Sequence, residues 1–308
     1  MGAAAGLYPR ADGNQAPSRK PITSRRLLQI GVHLSSAWLR ALTTSQRIDR
    51  EQRLLAIRRW ARGIVRSLDI EVVPGGAPAL RGSPLLLVAN HVSWLDICVL
   101  CSVEGALFVA KAELAGWPVI GRITKSFGHF LHRRGCLRDA ARVKDRVATA
   151  LRTNWPVAVF PEGTTGDGRA LMPFYPAMMQ AAVDARAMVQ PVAIRYLDCD
   201  GALSTAAPFV GEQTFADSLA RILREPLITA EVAFGPAFSA HGRSRRELAA
   251  VCHRFIARTL GVAECRITAD PRRLRAQSAA ASPRPRARIR PYYGADPSAA
   301  CVTFESSR

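Results

Sequence analysis

Short apolar runs alternate with segments of helical periodicity between Leu80 and about Cys265. Apolar runs without polar alternation are typical of strands covered on both faces. The predicted strands are Pro84–Ala89, Ala106–Ala110, Phe127–Leu131, Val157–Phe160, Val189–Tyr196 and Ile228–Phe234. The predicted helices are Trp94–Val103, Leu137–Arg152, Thr214–Leu223 and Arg243–Leu260. The alternation of the two kinds of element predicts an α/β fold, with a layered sheet flanked by helices.

Two amphipathic segments precede this predicted domain. The first, Leu27–Leu42, is flanked by arginines and has about sixteen residues, fewer than the ~20 that cross a bilayer. Its apolar face consists of Leu27, Ile30, Leu34, Trp38 and Leu42. In the second, Glu51–Leu68, the apolar face consists of Leu54, Ile57, Trp60, Ala61, Ile64 and Leu68. The first pattern favours a helix lying in a membrane interface, whereas for the second the membrane surface and the protein core are equally open.

The chain is strongly basic, with a formal net charge of +19 at pH 7. Nucleic acid, an anionic membrane surface or an anionic substrate would each suit such a charge. A nucleic-acid-binding protein should interleave aromatic residues with the basic ones or carry a recognisable binding module, and the sequence has neither. We therefore expect an anionic membrane surface, and no nucleic acid, as a partner. A non-catalytic scaffold on a membrane surface stays open as an alternative.

The seven cysteines lack the spacing of a disulfide framework, which indicates a reducing compartment. Cys98 and Cys101 form a CxxC pair, but neither a second pair nor a histidine cluster accompanies it. Because the pair lies in an apolar predicted helix, we interpret it as buried packing rather than as a zinc or redox site. No metal site is predicted.

A polar cluster lies between the first buried strand and the helix after it, at Asn90, His91, Ser93 and Asp96. Ser93 and Asp96 have the spacing of a capping box with Asp in place of Glu, and on that interpretation they only begin the helix. Alternatively, His91 is a general base and Asp96 orients its imidazole. The two can meet if His91 lies in the loop, because residues five apart on one helix lie about 140° apart. With no serine or cysteine nucleophile beside the pair, the substrate would supply its own hydroxyl.

Two further polar segments also follow predicted strands. Residues 128–135, GHFLHRRG, place consecutive arginines at a strand end. Residues 158–168, AVFPEGTTGDG, form a glycine-rich loop with a carboxylate and two hydroxyls. Such a loop can direct backbone N–H groups toward an anion, with Glu162 holding the loop or an arginine. Each signal is weak alone, since glycine-rich turns and solvated arginine pairs are common.

In this order the segments resemble the four motif blocks of the glycerolipid acyltransferase family, which includes bacterial 1-acylglycerol-3-phosphate acyltransferases and lysophospholipid acyltransferases. The corresponding blocks are Asn90-His91-x4-Asp96, Gly128 to Arg134, Phe160 to Thr164, and the apolar strand around Pro191. The resemblance covers roughly residues 80–240. It favours the interpretation of His91 and Asp96 as a catalytic pair.

The resemblance implies acyl transfer from acyl-CoA or acyl carrier protein to the hydroxyl of a lysolipid, with no acyl-enzyme, no cofactor and no metal. His91 would deprotonate the hydroxyl, and Asp96 would hold His91 in the useful tautomer. The implied substrate-binding residues are Asn90, Lys111, Arg134, Glu162, Gly163 and Thr164. Two of these have alternatives, because Arg133 is adjacent to Arg134 and Lys111 could equally be a solvated loop lysine.

The sequence also departs from the family pattern. Many phosphatidate-forming relatives carry Arg after the Glu-Gly-Thr of the third block, where this chain has Thr165. Tyr175 stands where a basic residue often follows Phe174, and the fourth block lacks its second proline. The expected acceptor is 1-acylglycerol-3-phosphate, giving phosphatidic acid. Because cationic contacts are missing, another lysolipid such as lyso-ornithine lipid is an alternative.

Composition and motifs together divide the chain into four parts. We expect a disordered basic N-terminus over residues 1–25, membrane-associating helices over 26–70, the acyltransferase domain over 71–268 and a disordered Arg/Pro-rich tail over 269–308. The first residues lack the apolar core of a signal peptide. The expected location is the cytoplasmic face of the cell membrane, with peripheral or monotopic attachment.

Overall fold

A computed structural model describes residues 27–33, 35, 49–79, 82–116, 120–133 and 136–263. The two predicted disordered ends, 1–25 and 269–308, lie outside the described residues, as does half of the first amphipathic segment. The predictions made for those parts of the chain stay predictions.

Within the described residues, eight strands form a sheet in the order β1-β7-β6-β2-β5-β3-β4, and β8 pairs with β6. The strands are β1 (Ile70–Gly75), β2 (Leu85–Ala89), β3 (Leu107–Lys111), β4 (Phe130–His132), β5 (Val157–Val159), β6 (Met188–Leu197), β7 (Ile228–Phe234) and β8 (Phe238–Ser239). Strands β6, β2, β5, β3 and β4 run parallel to one another, whereas β7 is antiparallel to β6. Every residue of β2 is buried, which explains its unbroken apolar sequence.

Helices flank this sheet, as the α/β pattern predicts. They are α1 (Arg50–Ser67), α2 (Leu95–Val103), α3 (Ile120–Phe127), α4 (Leu137–Arg152), α5 (Met179–Ala185), α6 (Phe215–Arg224) and α7 (Arg245–Leu260). Short 3-10 turns occupy Ala112–Gly116 and Pro176–Met178. The predicted α/β fold class is therefore confirmed.

The predicted elements match the structure closely except around Phe127. The sequence predicts a strand over Phe127–Leu131, but Phe127 is the last residue of α3 and the strand begins at Phe130. Gly128, with φ of 81°, follows the helix in the left-handed region that glycine tolerates best. The apolar pattern does not predict strands β1 and β8 or helices α3 and α5, because their sequences lack a long apolar run.

Helix α1 packs its apolar face against the domain. Ile57 and Ala61 are fully buried, and Ile64 and Leu68 are buried beside them. The apolar face of the second amphipathic segment, for which core and membrane were both open, thus packs in the protein core. The packed domain consequently includes α1 and begins before the predicted boundary at residue 71. Arg59, Arg62 and Arg66 of α1 are exposed, and Arg62 Nε also donates to the Ser102 carbonyl of α2 at 2.9 Å.

Part of the first amphipathic segment is described, and residues 27–33 and 35 are helical. Ile30 is buried in the core, whereas Leu27, Leu28 and Val32 are exposed. Leu27 and Ile30 are three residues apart on this helix and so lie about 60° apart around it, but only Ile30 packs in the core. Leu34, Trp38 and Leu42 lie outside the described residues. Among the residues described, no helix is both long enough and apolar enough to cross a membrane.

The CxxC pair lies inside α2, and both cysteines are buried. Burial raises the pKa of the Cys98 thiol to about 12 and also raises the pKa of the Cys101 thiol. A thiolate is therefore disfavoured at both positions. This confirms the interpretation of the pair as packing.

Candidate active site

The carboxyl ends of parallel strands gather the predicted site residues at one edge of the sheet. Asn90 and His91 follow β2, Glu162 lies three residues beyond β5, and Lys111 ends β3. Because β2, β5, β3 and β4 are parallel, these ends face the same way. Crevices at such edges are the usual ligand sites of open α/β sheets.

His91 and Asp96 are in direct contact. His91 lies in the loop before α2, and Asp96 is the second residue of that helix, so Asp96 reaches back as the spacing required. His91 Nδ1 is 2.7 Å from Asp96 Oδ2. The same oxygen accepts the N–H groups of Val92 and Ser93 at 2.7 and 2.9 Å. An oxygen that accepts from two backbone donors also accepts from Nδ1, so the hydrogen of the neutral ring is on Nδ1 and Nε2 carries the free lone pair.

Asp96 makes the contact with His91 that the catalytic interpretation requires, but the predicted capping box with Ser93 is only half formed. Its bond to the Ser93 N–H is the half of a capping box in which the acidic side chain returns to the start of the helix. The other half is missing, because Ser93 Oγ is buried and has no hydrogen-bond partner among the described residues. One carboxylate therefore begins the helix and orients the imidazole at once.

Tyr196 is a further residue of this network, and sequence reasoning missed it. Its hydroxyl donates to Asp96 Oδ1 at 2.7 Å from near the end of β6. Burial and the neighbouring Asp96 charge raise the pKa of Tyr196 well above its usual value, so the hydroxyl keeps its proton. The sequence feature that could have identified Tyr196 was a side chain ending in a hydroxyl near the carboxyl end of an apolar strand. Asp96 is itself fully buried and accepts hydrogen bonds through both oxygens.

The imidazole of His91 is held on its face as well as at Nδ1. It stacks on Phe160, with ring centroids 4.1 Å apart and planes inclined by 10°. Phe160 stacks in turn on Phe108, at 5.5 Å between centroids. The ring is thus fixed before any substrate binds. Its side chain is 17% exposed, and Nε2 has no hydrogen-bond partner within the described part of the chain.

Glu162 holds the backbone of the loop, one of the two roles expected for it. Its carboxylate accepts from the His91 N–H at 2.6 Å and from the Met172 N–H at 3.1 Å. The side chain is buried, and burial raises the pKa of Glu162 to about 8 despite these two bonds. The Asp96 charge adds to the rise. No arginine is bound to Glu162 among the residues described.

The glycine-rich loop presents its tip to solvent near His91 and Asp96. Gly163 and Thr164 are exposed, and Gly163 has a φ of 72° that favours glycine. The Gly166 N–H donates to the His91 carbonyl at 2.8 Å, which ties this loop to the loop that carries His91. Thr165 instead turns inward, where its hydroxyl donates to the carbonyl of Phe209. Of this loop, Gly163 and Thr164 are thus accessible to a substrate.

Asn90 is placed differently from our expectation. Its side-chain amide donates to the Ile194 carbonyl at 2.9 Å, and its oxygen accepts the Ile194 N–H at 2.7 Å. The residue is 3% exposed. The expected substrate contact is therefore replaced by a structural one, in which Asn90 binds the loop to β6 because a buried amide requires partners.

Of two other predicted site residues, Lys111 and Arg134, the structure describes the backbone of the first only. Lys111 ends β3 at the carboxyl edge, but its side chain is outside the description. Arg134 is not among the described residues. Its neighbour Arg133 is exposed just beyond β4, with its N–H donating to Asp139 at 2.7 Å. No cluster of three or more His, Cys, Asp or Glu side chains suited to a metal occurs within the described ranges.

Comparisons with known proteins identify the family of the chain. A family model described as Acyltransferase matches residues 49–195. The lyso-ornithine lipid O-acyltransferase of Pseudomonas aeruginosa is 36% identical over 191 residues, covering 62% of this chain and 72% of the relative. The 1-acyl-sn-glycerol-3-phosphate acyltransferase of Neisseria meningitidis is 35% identical over 184 residues, covering 60% of this chain and 72% of the relative.

A solved structure shares the fold. The crystal structure of the 1-acyl-sn-glycerophosphate acyltransferase from Thermotoga maritima superposes with a TM-score of 0.57 at 21% identity. The match covers 77% of this chain and 95% of that protein. Sequence and fold agree, and the chain belongs to the acyltransferase family.

Proposed function

We propose that this protein transfers a fatty acyl group from a thioester donor to the hydroxyl of a lysolipid. The observation that carries the proposal is the state of His91. Asp96 fixes its Nδ1–H, Phe160 fixes its ring, and Nε2 is left without a partner among the described residues. A fixed imidazole with a free Nε2 lone pair is equipped to take a proton from an incoming hydroxyl.

The proposed reaction is a direct transfer. Nε2 of His91 accepts the proton of the lysolipid hydroxyl while the hydroxyl oxygen attacks the thioester carbonyl. The carbon–sulfur bond then breaks, and the leaving thiolate takes that proton from His91. Asp96 stabilises the imidazolium that exists between these two events. The raised pKa of the Cys98 thiol argues against that residue as an acylated nucleophile.

The first acceptor we propose is 1-acylglycerol-3-phosphate, which gives phosphatidic acid. A second candidate acceptor is lyso-ornithine lipid. It is favoured by Thr165 and Tyr175, which stand at or near the glycine-rich loop in positions where relatives often carry basic residues. Thr165 is bonded to the Phe209 carbonyl, and the exposed ring of Tyr175 lies near Gly163. These groups supply no positive charge for a phosphate. The relatives of the two kinds are 35% and 36% identical to this chain, so similarity alone does not separate the acceptors.

We further propose that the enzyme uses acyl-CoA or acyl carrier protein as its donor and needs no metal or other cofactor. The proton transfers described for His91 require neither. A chelator should therefore leave activity intact, and inhibition by EDTA that zinc reverses would contradict this part of the proposal.

Attachment to the cytoplasmic face of the cell membrane completes the proposal. The exposed side chains of Leu27, Leu28 and Val32, and the exposed arginines of α1, support an interfacial contact that combines apolar burial with charge. Replacing the exposed Leu27, Leu28 and Val32 with Glu, which leaves the buried Ile30 in place, should release much of the protein from anionic vesicles while leaving transfer to a detergent-dispersed acceptor. Loss of catalysis with retained vesicle binding would contradict this division of roles.

The test of function is a transfer assay on the full-length protein. Both lysolipid acceptors are offered in detergent with each donor type, and product is measured for the wild type and for His91→Ala. The proposal expects product with a lysolipid and none from the variant. A folded variant that binds vesicles and keeps the activity of the wild type would exclude His91 as the base. No product from the wild type with any pair would favour the scaffold alternative.

A further inference from the structure

A positively charged groove lies along α4, outside the catalytic site. Its floor and walls include Phe130, Trp155 and Leu107, and its volume is about 730 Å³. Four arginines line it, and we call this feature the arginine groove: Arg53 from α1, and Arg138, Arg142 and Arg146 from α4. None of these four side chains is used by the proposed chemistry.

The three arginines of α4 form a regular stripe. They are four residues apart, so they share one face of the helix, with about 6 Å between successive positions and about 12 Å from first to last. All three are exposed. Across the groove, Arg53 lies over the Trp155 ring at 5.7 Å, and Arg146 lies over the Phe130 ring at 5.4 Å. Two of the four cations are thus held in place by aromatic rings.

The charge of this groove is not neutralised within the described part of the protein. None of the four arginines forms an ion pair with a described carboxylate, and Arg53 Nε is buried without a hydrogen-bond partner. Of the acidic residues of α4, Asp145 also lines the groove, where it pairs with Lys144 at 2.8 Å. Asp139 accepts from the Arg133 N–H at 2.7 Å, and the charge of Arg142 contributes to its lowered pKa. A groove with several unpaired cations is suited to an acidic partner.

The groove also has a defined relation to the catalytic edge. Helix α4 begins five residues after β4 ends, so Arg138 lies near the edge of the sheet that carries His91. The groove extends from there toward the opposite edge, because Leu107 and Phe130 are the first residues of β3 and β4 and Trp155 precedes β5. Strand β4 is three places from β2 in the sheet, which corresponds to about 14 Å at ordinary strand spacing. A partner docked on α4 would therefore need a long flexible arm to bring an acyl group to His91.

We propose that the arginine groove docks an acyl carrier protein through an acidic helix, so that its prosthetic arm delivers the acyl thioester to His91. The inference rests on the proposed acyl transfer. Carboxylates one turn apart on the partner helix would match the repeat of about 6 Å between the arginines. A helix placed along a stripe of this length uses the whole groove, whereas a single phosphate would use one end of it.

The test compares charge reversal in the groove with charge reversal elsewhere. Arg138→Glu/Arg142→Glu alters two exposed arginines near the start of α4, where acidic residues are compatible with the helix dipole. The matched control is Arg245→Glu/Arg246→Glu, which makes the same charge change at the exposed start of α7. For all proteins, kcat/KM is measured with hexadecanoyl-acyl carrier protein and with hexadecanoyl-CoA, on a detergent-dispersed acceptor.

The expected result is a fall of ~10-fold or more in kcat/KM with the carrier-protein donor for the groove variant, mainly through KM, since charge complementarity acts on association. Activity with the CoA donor and both activities of the control should be little changed. An equal fall with both donors would overturn the proposal, as would a control that behaves like the groove variant. Unchanged activity with the carrier-protein donor would overturn it too.

A binding measurement separates this inference from the proposed function. Fluorescence anisotropy of labelled holo-acyl carrier protein, titrated with the full-length protein, requires no turnover. Binding that weakens in the groove variant and with salt supports the docking site even if transfer fails for another reason. If the variant instead loses affinity for anionic vesicles while its affinity for the carrier protein is unchanged, the groove faces the membrane and the proposal is wrong.

Discussion

Asp96 and Glu162 are two buried carboxylates that hold the same short loop. Asp96 accepts the N–H groups of Val92 and Ser93, whereas Glu162 accepts the N–H of His91. They differ in their remaining partners. Asp96 also binds the His91 ring and the Tyr196 hydroxyl, while Glu162 binds a second backbone N–H, that of Met172. One carboxylate positions a reactive ring, and the other positions the backbone.

The comparison explains why burial alone does not identify a group that acts in chemistry. Both side chains are nearly inaccessible, at 0% and 4% exposure for Asp96 and Glu162. What distinguishes Asp96 is that its charge lies against a ring that must gain and lose a proton. Glu162 has no such partner among the described residues, and its raised pKa follows mainly from burial. The predictions below separate the two roles.

The largest effect is expected for His91→Ala. Removing a general base commonly lowers the rate ~10²–10⁴-fold, because the hydroxyl must then lose its proton without help. Transfer is measured together with thermal unfolding. The matched control, His241→Ala, makes the same change at an exposed histidine and should leave activity unchanged. Near-normal activity in folded His91→Ala would refute the mechanism.

Asp96→Asn should be severe but weaker than His91→Ala. The amide oxygen can take the place of Oδ2 and accept from Nδ1–H, while the NH2 group faces the Tyr196 hydroxyl, which can rotate to accept. The tautomer of His91 is then retained, and the negative charge that stabilises imidazolium is lost. We expect kcat to fall roughly 10²-fold with little change in KM. A loss of stability of ~0.5–2 kcal/mol without a kinetic effect would reduce Asp96 to a helix cap.

The local part of this arrangement was predictable from the sequence, and the distant part was not. His91 and Asp96 are five residues apart at a strand–helix boundary, so their contact follows from local geometry. Tyr196 reaches Asp96 from a position 100 residues away, and its approach depends on β6 pairing with β2. The same holds for Asn90, whose bond to Ile194 exists only once that pair of strands forms. Strands buried on both faces were predictable, but β1 at the sheet edge carries Glu71 and Pro74, which interrupt its apolar pattern.

Glu162→Gln tests the backbone-holding role through the pH dependence of stability. In the folded protein Glu162 keeps its proton up to about pH 8, whereas an ordinary glutamate releases it near 4.5. Between these two pH values the folded state therefore binds more protons than the unfolded state. The contribution of Glu162 to stability is full below about pH 4.5 and is lost as the pH rises to about 8. Glutamine has no such transition.

The expected measurement is a difference in unfolding free energy that changes with pH. Relative to Glu162→Gln, the wild type should lose on the order of a few kcal/mol of unfolding free energy between about pH 5 and pH 8.5. Urea unfolding of both proteins at several pH values provides the comparison. If the wild type does not lose stability relative to the variant as pH rises, Glu162 is ionised throughout, and the proposed difference between the two carboxylates is wrong.

Tyr196→Phe should have the smallest effect, and it asks whether Tyr196 acts through Asp96. The substitution keeps the buried ring and removes one hydrogen bond to Oδ1, which typically costs ~1 kcal/mol or somewhat more at a buried acceptor. We expect kcat to fall roughly 3- to 10-fold, since one bond of about that strength is lost from the group that orients His91. KM for the acceptor should be little changed, because the hydroxyl is buried behind the carboxylate.

A double-mutant cycle with Asp96→Asn makes this last prediction specific. If Tyr196 works only by donating to the carboxylate, its removal should matter less once an amide has replaced that carboxylate, and the two effects on kcat will not add. If Tyr196 merely packs in the core, Tyr196→Phe will leave kcat unchanged in both backgrounds. Fully additive losses would mean that the hydroxyl reaches the substrate or His91 by a route independent of Asp96. Non-additivity confined to kcat, with melting temperatures that add, would assign Tyr196 to the positioning of the dyad rather than to the fold.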